Sequence, residues 1–417
     1  MQYSKTCGEE ISRLAFGTMR LPLKDDGSID QEQVNEMTDY AMEHGVNYYD
    51  TAYPYHEGKS EIAIGKALAK YPRESFKLAT KFPGHQFMKK YDCDGIFNEQ
   101  LEKCCVDHFD FYLLHNIYEN SFPTYKNKDY GIIDYFVKQK ELGRIKHLGF
   151  STHVRTENLE EVLDFLADKI EFCQIQLNYV DWTLQDAKRK IEILGSRGIP
   201  VMVMEPLRGG KLADLGEENN ARLKAARVDE SIASWSFRWL MRIPEVATVL
   251  SGMSSLEQMK DNIKTFSEGT ALSEEEWNMM LNIADTLKKG VPCTSCRYCC
   301  SGCPMGLDIP MLLAGYNDLK FASAMTVKMQ MDGTPAEKWP DKCIGCGACA
   351  SVCPQHIDIP GVLKEYNEML HTGPTWAEMC RQREEAAEKM RKQLNEVEAL
   401  HAQQDRQPEG ALPPMTR

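Results

Sequence analysis

The sequence predicts an α/β protein, a (β/α)8 barrel followed by a smaller, mostly α-helical domain. Three observations carry this. Eight short apolar runs alternate with amphipathic segments from Leu14 to Ser251, the rhythm of a barrel of parallel strands. Several of those runs end on a polar residue at the same relative position. Beyond residue 290, eight cysteines recur as two copies of one spacing, which marks a duplicated unit.

The predicted strands are Leu14–Thr18, Val46–Asp50, Lys77–Lys81, Phe109–His115, Lys146–Ser151, Phe172–Leu177, Pro200–Pro206 and Ala247–Ser251. Helical periodicity fills the gaps, at Gln31–His44, Glu61–Tyr71, Tyr130–Leu142, Asn158–Lys169, Leu184–Arg197 and Glu230–Met241. A doubly wound open sheet is the alternative. It should carry G-x-G-x-x-G after its first strand, and here that position reads Gly17-Thr-Met-Arg-Leu-Pro. Asp50 closes the second run, Lys81 the third, His115 the fourth and Ser151 the fifth, with Gln176 late in the sixth. All fall at the C-terminal rim, where barrel enzymes keep their sites.

At the second strand the chain reads Gly45-Val-Asn-Tyr-Tyr-Asp50-Thr-Ala-Tyr-Pro-Tyr55, running on to Glu61-Ile-Ala-Ile-Gly65. With Ala79-Thr-Lys81, Tyr112-Leu-Leu-His115, Gly149-Phe-Ser151 and Pro206-Leu-Arg-Gly-Gly210, this resembles the aldo/keto reductases over residues 10–267. The resemblance implies a catalytic tetrad of Asp50, Tyr55, Lys81 and His115 acting on a small carbonyl substrate. The residue types suit that role. Carbonyl reduction leaves an alkoxide that needs a proton, and tyrosine is a poor acid near neutrality. A nearby ammonium stabilises tyrosinate, a carboxylate keeps the ammonium charged, and a histidine orients the carbonyl.

For the nicotinamide, the resemblance implies Ser151 and Gln176 on the carboxamide. Two positions depart from the family: Thr152 stands for an asparagine, and Met204 for the tyrosine that stacks on the ring. Leu207, Arg208, Gly209 and Gly210 form a loop after the seventh strand, a common phosphate site in barrels. Ser251, Gly252, Gln258 and Asn262 follow the eighth. That loop lacks the lysine and arginine that grip a 2′-phosphate, so NADH is expected over NADPH, with a flavin as an alternative. Tyr53, Phe82, His85, Phe87 and the insert 117–129 are candidate substrate-pocket residues.

The cysteines are Cys293, Cys296, Cys299 and Cys303, then Cys343, Cys346, Cys349 and Cys353. Each set is C-x2-C-x2-C-x3-C-P, the run that ligates a [4Fe-4S] cluster in bacterial ferredoxins, where the fourth cysteine serves the other cluster. By that rule Cys293, Cys296, Cys299 and Cys353 hold one cluster, and Cys343, Cys346, Cys349 and Cys303 the second. Zinc sites more often show paired C-x2-C knuckles. The repeat continues through Asp308-Ile-Pro and Asp358-Ile-Pro to Tyr316-Asn317 and Tyr366-Asn367. The insert near 311–340 also reads helical. Together these resemble the α-helical ferredoxin-like domain of succinate dehydrogenase iron–sulfur subunits. The whole chain is similar to aldo/keto reductases that carry such a module.

The expected boundaries are 1–268 for the barrel, 269–290 for a helical linker, 291–375 for the dicluster domain and 376–417 for a charged helix and disordered tail. The linker reads as one helix with a Ser273/Glu276 capping box. Trp376–Gln404 mixes both signs of charge and reads as a solvated helix. A net charge of −13 argues against nucleic acid. The absence of a long apolar run argues against a membrane span, and fifteen cysteines behind a polar start predict a reducing cytoplasm.

The combination predicts a nicotinamide-linked oxidoreductase fused to an electron-transfer module. Nicotinamide passes two electrons together and clusters pass one at a time, so a flavin, a flavoprotein or a ferredoxin partner is expected if the two communicate. The alternatives are a flavin-dependent or ferredoxin-coupled reductase subunit and a redox-sensing or docking protein with a non-catalytic barrel.

Overall fold

Eight parallel strands close into a barrel: β3 (Leu14–Gly17), β4 (Tyr48–Asp50), β5 (Lys77–Phe82), β6 (Phe109–Leu114), β7 (Ile145–Thr152), β8 (Phe172–Gln176), β9 (Val201–Met204) and β10 (Val246–Ser251), with β10 pairing back onto β3. The computed structural model describes residues 1–404 apart from 87, 89, 288, 289, 292, 294, 295, 322, 323 and 354. The strands read as near-continuous apolar runs because both faces are covered. Ala15, Tyr48, Ala79, Phe111, Phe172 and Met202 fill the inside. Gly149 is needed there, since a Cβ would lie 2.6 Å from the Phe172 ring. Helices line the outside, several opened by side-chain caps: Asp30 accepts from the backbone of Glu32 and Gln33, Ser231 from Ser234, and Ser255 from Gln258.

Ahead of the barrel lies a hairpin that the apolar periodicity does not reveal. Strands β1 (Tyr3–Thr6) and β2 (Glu9–Ser12) pair antiparallel through Cys7-Gly8, both at positive φ (53° and 86°), as a tight two-residue turn requires. Ile11 joins the inner core and Ser4 Oγ donates to Ala247 O, so the hairpin closes the barrel floor.

The expected single helix over 269–290 begins later. The Leu256–Glu268 helix stops at Gly269, which takes a left-handed φ of 66°, and Glu274–Leu287 starts afresh. The capping box forms: Ser273 N donates to Glu276 Oε2 and Glu276 N to Ser273 Oγ. This helix lies on the barrel flank, with Met280, Ile283 and Ala284 in the main core and Trp277 stacked 4.4 Å from Trp239.

The C-terminal domain repeats itself in space. Short helices Tyr298–Ser301 and Ala348–Ser351 each precede a long one, Ile309–Phe321 and Ile359–Leu370. Tyr316 and Tyr366 meet edge-on at 6.2 Å in its core. The Ala324–Asp332 and Trp376–Gln404 helices cross the open end of the barrel, where Met329, Trp376 and Cys380 are buried with Tyr118. The helix is thus only partly the solvated one expected: Trp376 and Cys380 are buried, and its other described side chains up to Lys392 are exposed or half-buried. Arg391 also reaches the barrel, donating to the Tyr53 hydroxyl (2.7 Å) and Glu99 (2.9 Å). Positions 405–417, expected to be disordered, lie outside the described residues. No described helix is long and apolar enough to cross a membrane.

Candidate active site and cluster cradles

A cavity of about 380 Å³ opens at the C-terminal ends of the strands, beneath the two crossing helices. At its base, Asp50 ends β4, Lys81 lies near the end of β5, and His115 follows β6. Tyr55 opens a short helical turn after β4. Lys81 is fully buried, and its Nζ donates to Asp50 Oδ1 and to Thr51 O, both at 2.6 Å. The same Nζ lies 4.9 Å from the centre of the Tyr55 ring. Tyr55 meets His115 edge-on at 6.0 Å. The four residues expected from strand ends are thus brought together.

The electrostatics follow from burial and partners. Burial alone would strip the proton from Lys81, but Asp50 and Tyr55 outweigh it and hold its pKa above the usual lysine value. Burial pushes Tyr55 up while Lys81 pulls against it. Burial, then His85 and Lys81, drive His115 well below the ordinary histidine range. Its neighbours follow for the same first reason: His85 falls to about 3 and His153 to about 4. All three imidazoles are neutral at pH 7. A neutral His115 can position or polarise a carbonyl through a hydrogen bond.

On the other side of the cavity stand Ser151, Leu207, Gly209, Gly210, Ser251, Gly252, Gln258 and Asn262. Ser151 Oγ accepts from Asn116 N, and Ser251 Oγ from Asn262 Nδ2. Gly209 and Gly210 take φ of 68° and 96°, a tight turn in which Gly210 N donates to Leu207 O and Gly209 N to the Glu205 carboxylate. Two expected residues are elsewhere. Gln176 donates its amide to Asp181 (2.8 Å), while Gln174, two residues earlier on β8, lines the cavity. Arg208 is also buried against Asp181, through Nε at 3.0 Å and Nη2 at 2.8 Å. Paired in this way, it does not line the cavity. A cation that was not expected, Arg20, lines the cavity instead, with Nη2 2.9 Å from where a Gly209 Cβ would sit. It follows the first barrel strand, away from the loops where phosphate-binding residues are sought.

The helices over the mouth complete the wall with Met325, Thr326, Met329, Trp376 and Arg383. None was singled out from sequence. The signal was present: Trp376, Cys380, Arg383, Ala387 and Arg391 recur at helical spacing on one face. Of the proposed pocket residues, His85 lines the cavity. Phe82 packs in the outer core, 4.9 Å from Phe136. Tyr53 lines a neighbouring groove beside Arg391. From the 117–129 insert, Tyr118 is buried beneath Trp376 and Met329. Phe87 lies outside the described residues.

In the C-terminal domain two small cavities each gather four cysteines. One is lined by Cys293, Cys296, Cys299 and Cys353 with Leu313, Ile357 and Ile359. The other is lined by Cys303, Cys343, Cys346 and Cys349 with Leu307, Ile309 and Leu363. In each, three cysteines come from one repeat and the fourth from the other. No cysteine is engaged in a disulfide. Four sulfurs around an apolar hollow are the donor set a [4Fe-4S] cube requires.

Comparison with known proteins agrees with this architecture. The model of the aldo/keto reductase family matches residues 13–285, and a 4Fe-4S dicluster domain matches 292–357. The chain belongs to the aldo/keto reductase family. It is an oxidoreductase of that family with an iron–sulfur domain appended. The NADH-specific methylglyoxal reductase of Escherichia coli is 22% identical over 325 residues, spanning 67% of this chain and 96% of that one. The L-galactose dehydrogenase of Arabidopsis thaliana is 26% identical over 297 residues, spanning 64% and 88%. An aldo-keto reductase of Bacillus halodurans in its holo form superposes with a TM-score of 0.56 at 24% identity, over 68% of this reductase and 96% of that chain. One from Brucella melitensis gives 0.52 at 22% identity, over 68% and 99%. These structures share the fold.

Proposed function

We propose that this reductase converts a small aldehyde or ketone to the alcohol, using a nicotinamide cofactor on a barrel joined to a two-cluster electron-transfer module. The observation that carries the reading is the buried Lys81–Asp50 pair directly beside Tyr55 at the cavity base. When bound, the nicotinamide supplies the hydride, and the clusters supply one-electron transfer. Tyr55 Oη donates the proton to the carbonyl oxygen. Lys81 stabilises the tyrosinate left behind, Asp50 keeps Lys81 charged and aimed, and neutral His115 holds the carbonyl by a hydrogen bond.

Ser151 and Gln174 are placed to take the carboxamide, the Gly209-Gly210 loop with Arg20 the pyrophosphate, and Ser251, Gly252, Gln258 and Asn262 the adenosine end. NADH is the favoured nucleotide, because the loop after β10 carries no basic residue. A relative is named for the same specificity. The crossed cysteine sets hold one cluster each. The cap supplies both the cluster cradles and part of the cavity wall, and this favours a second reading. In it a flavin in the barrel, or on a flavoprotein or ferredoxin partner, converts between two-electron and one-electron steps.

An anaerobic titration of the cluster-loaded protein with NADH and then NADPH, followed by visible absorbance and EPR, separates the two. Clusters that stay oxidised with nucleotide, yet reduce with dithionite, leave the barrel as an independent hydride enzyme. Clusters reduced by NADH favour the coupled reading. No nucleotide binding at all would overturn the nicotinamide assignment.

A further inference from the structure

The cavity has two cationic wall residues outside the Lys81–Asp50 pair, and they lie on different sides. Arg20 belongs to the glycine loops, close to Gly209 and Gly252. Arg383 comes from the C-terminal helix, on the side of the histidines. Its guanidinium lies 5.3 Å from the Trp376 ring. Trp376 in turn stacks on His85 at 5.7 Å and 22°, and His85 lies 4.3 Å from His115. This series of rings leads from the carbonyl-binding histidine to the guanidinium. Arg383 is thereby set beyond the reacting centre on the wall facing away from the nucleotide.

What surrounds Arg383 is unusual for an arginine so placed. Among the described residues its polar contact is the Met325 sulfur at 3.5 Å, and no carboxylate lies within ion-pair distance. Arg383 is half-buried, whereas the fully buried Arg208 and Arg238 each have carboxylate partners. Of the carboxylates that line the pocket, Asp50 is committed to Lys81, Glu205 stands beside Arg20 at the glycine loop and Asp261 accepts from Ser231 Oγ, while the three histidines are neutral. Burial lowers the pKa of Arg383, and the groups that oppose the shift are Cys380 and Tyr55, not a carboxylate. Taking an ion from water without a partner is costly. A planar guanidinium is also the group best shaped to grip a carboxylate or phosphate by two parallel hydrogen bonds.

We infer that Arg383 is a substrate-binding residue, and that the substrate is a carbonyl compound carrying its own anionic group, a carboxylate or a phosphate, on the side away from the nucleotide. This rests on the carbonyl-reductase reading for the identity of the reacting end. It goes beyond that reading by assigning substrate recognition to the iron–sulfur half of the chain. The barrel supplies the chemistry, and the cap selects what is reduced. Arg383 also lines an adjoining groove, where Lys90 and Arg391 stand among Glu57, Asp92, Glu384 and Glu388.

The test compares wild type, R383Q and R383K, all full-length and cluster-loaded, on matched pairs. These are 4-oxobutanoate with butanal, 2-oxobutanoate with 2-butanone, and glyceraldehyde 3-phosphate with glyceraldehyde. In wild type at least one anionic member should exceed its neutral partner in kcat/KM by tenfold or more, and which pair does so tells carboxylate from phosphate. R383Q should lower that ratio about thirtyfold, mainly through KM, and R383K should fall between. Equal preference in wild type, or a ratio unchanged in R383Q, would overturn the inference. Calorimetric titration with succinate and with inorganic phosphate supplies a readout without turnover. Saturable binding that R383Q loses supports the anion site even if no carbonyl on the panel is reduced, an outcome that would sink the reductase reading alone. Absence of binding in wild type, or binding retained in R383Q, overturns the anion site whatever the activity.

Discussion

The two walls of the central cavity are built in opposite ways. On the barrel wall each functional side chain sits at a strand end whose position is set by backbone pairing: Asp50 opposite Ala79 on β5, Lys81 opposite Leu113 on β6. The charges there are neutralised in place, Lys81 by Asp50 and Arg208 by Asp181. On the cap wall the residues come from the Ala324–Asp332 and Trp376–Gln404 helices, held by methionines and stacked rings, and among the described residues Arg383 has no carboxylate partner. A wall with matched charges is suited to repeating one proton transfer in a fixed geometry. A wall with an unmatched charge, borne on a separate domain, is suited to choosing what enters.

Y55F should break the barrel side outright. Removing the proton donor is expected to cut kcat for carbonyl reduction about 10³-fold and leave iron content and nucleotide affinity as in wild type. A loss below tenfold would remove Tyr55 from its assigned role. C353S tests the other domain. If the fourth cysteine of each repeat serves the opposite cluster, this variant loses the cluster held by Cys293, Cys296 and Cys299. The cluster of its own repeat should persist, so iron falls by about half and one EPR signal remains. Loss of the Cys343 cluster with retention of the Cys293 cluster would reverse the assignment.

The smallest effect concerns the seam between the walls. Asp318, on the Ile309–Phe321 helix, is pushed up to about 7 by burial and then by Asp181, against the pull of Arg208 and Lys190. A carboxyl whose pKa is higher folded than unfolded contributes stability that is complete below the unfolded value of 3.8 and is lost as pH rises through 7. Thermal unfolding of wild type should therefore drop by a few degrees between pH 6 and pH 8, and D318N should flatten that dependence. The same slope in D318N would mean that another group controls docking.

How much of this was legible depends on the range of the interaction concerned. The strand ends that place Asp50, Lys81 and His115 follow from short apolar runs of a few residues. The crossed cysteine sets follow from spacing within eleven positions and a repeat. Gln174 and Gln176 share one parity on β8, so periodicity cannot choose between them; Asp181 decides by capturing the Gln176 amide. Arg208 sits in a glycine loop and reads as a phosphate grip until the same carboxylate takes it. The N-terminal hairpin has strands of four residues, too short for alternation to stand out.

The order of strands, the polar residues at their ends and the two repeated cysteine sets were determined by the sequence itself, because each rests on local period or covalent spacing. The tertiary structure alone decided that the C-terminal helix crosses the barrel mouth and that Arg383 enters the cavity. The mixed charges of Trp376–Gln404 describe only the helix, whereas its burial depends on Tyr118, Met329 and His85, residues distant in the chain that reach it only when both domains are folded.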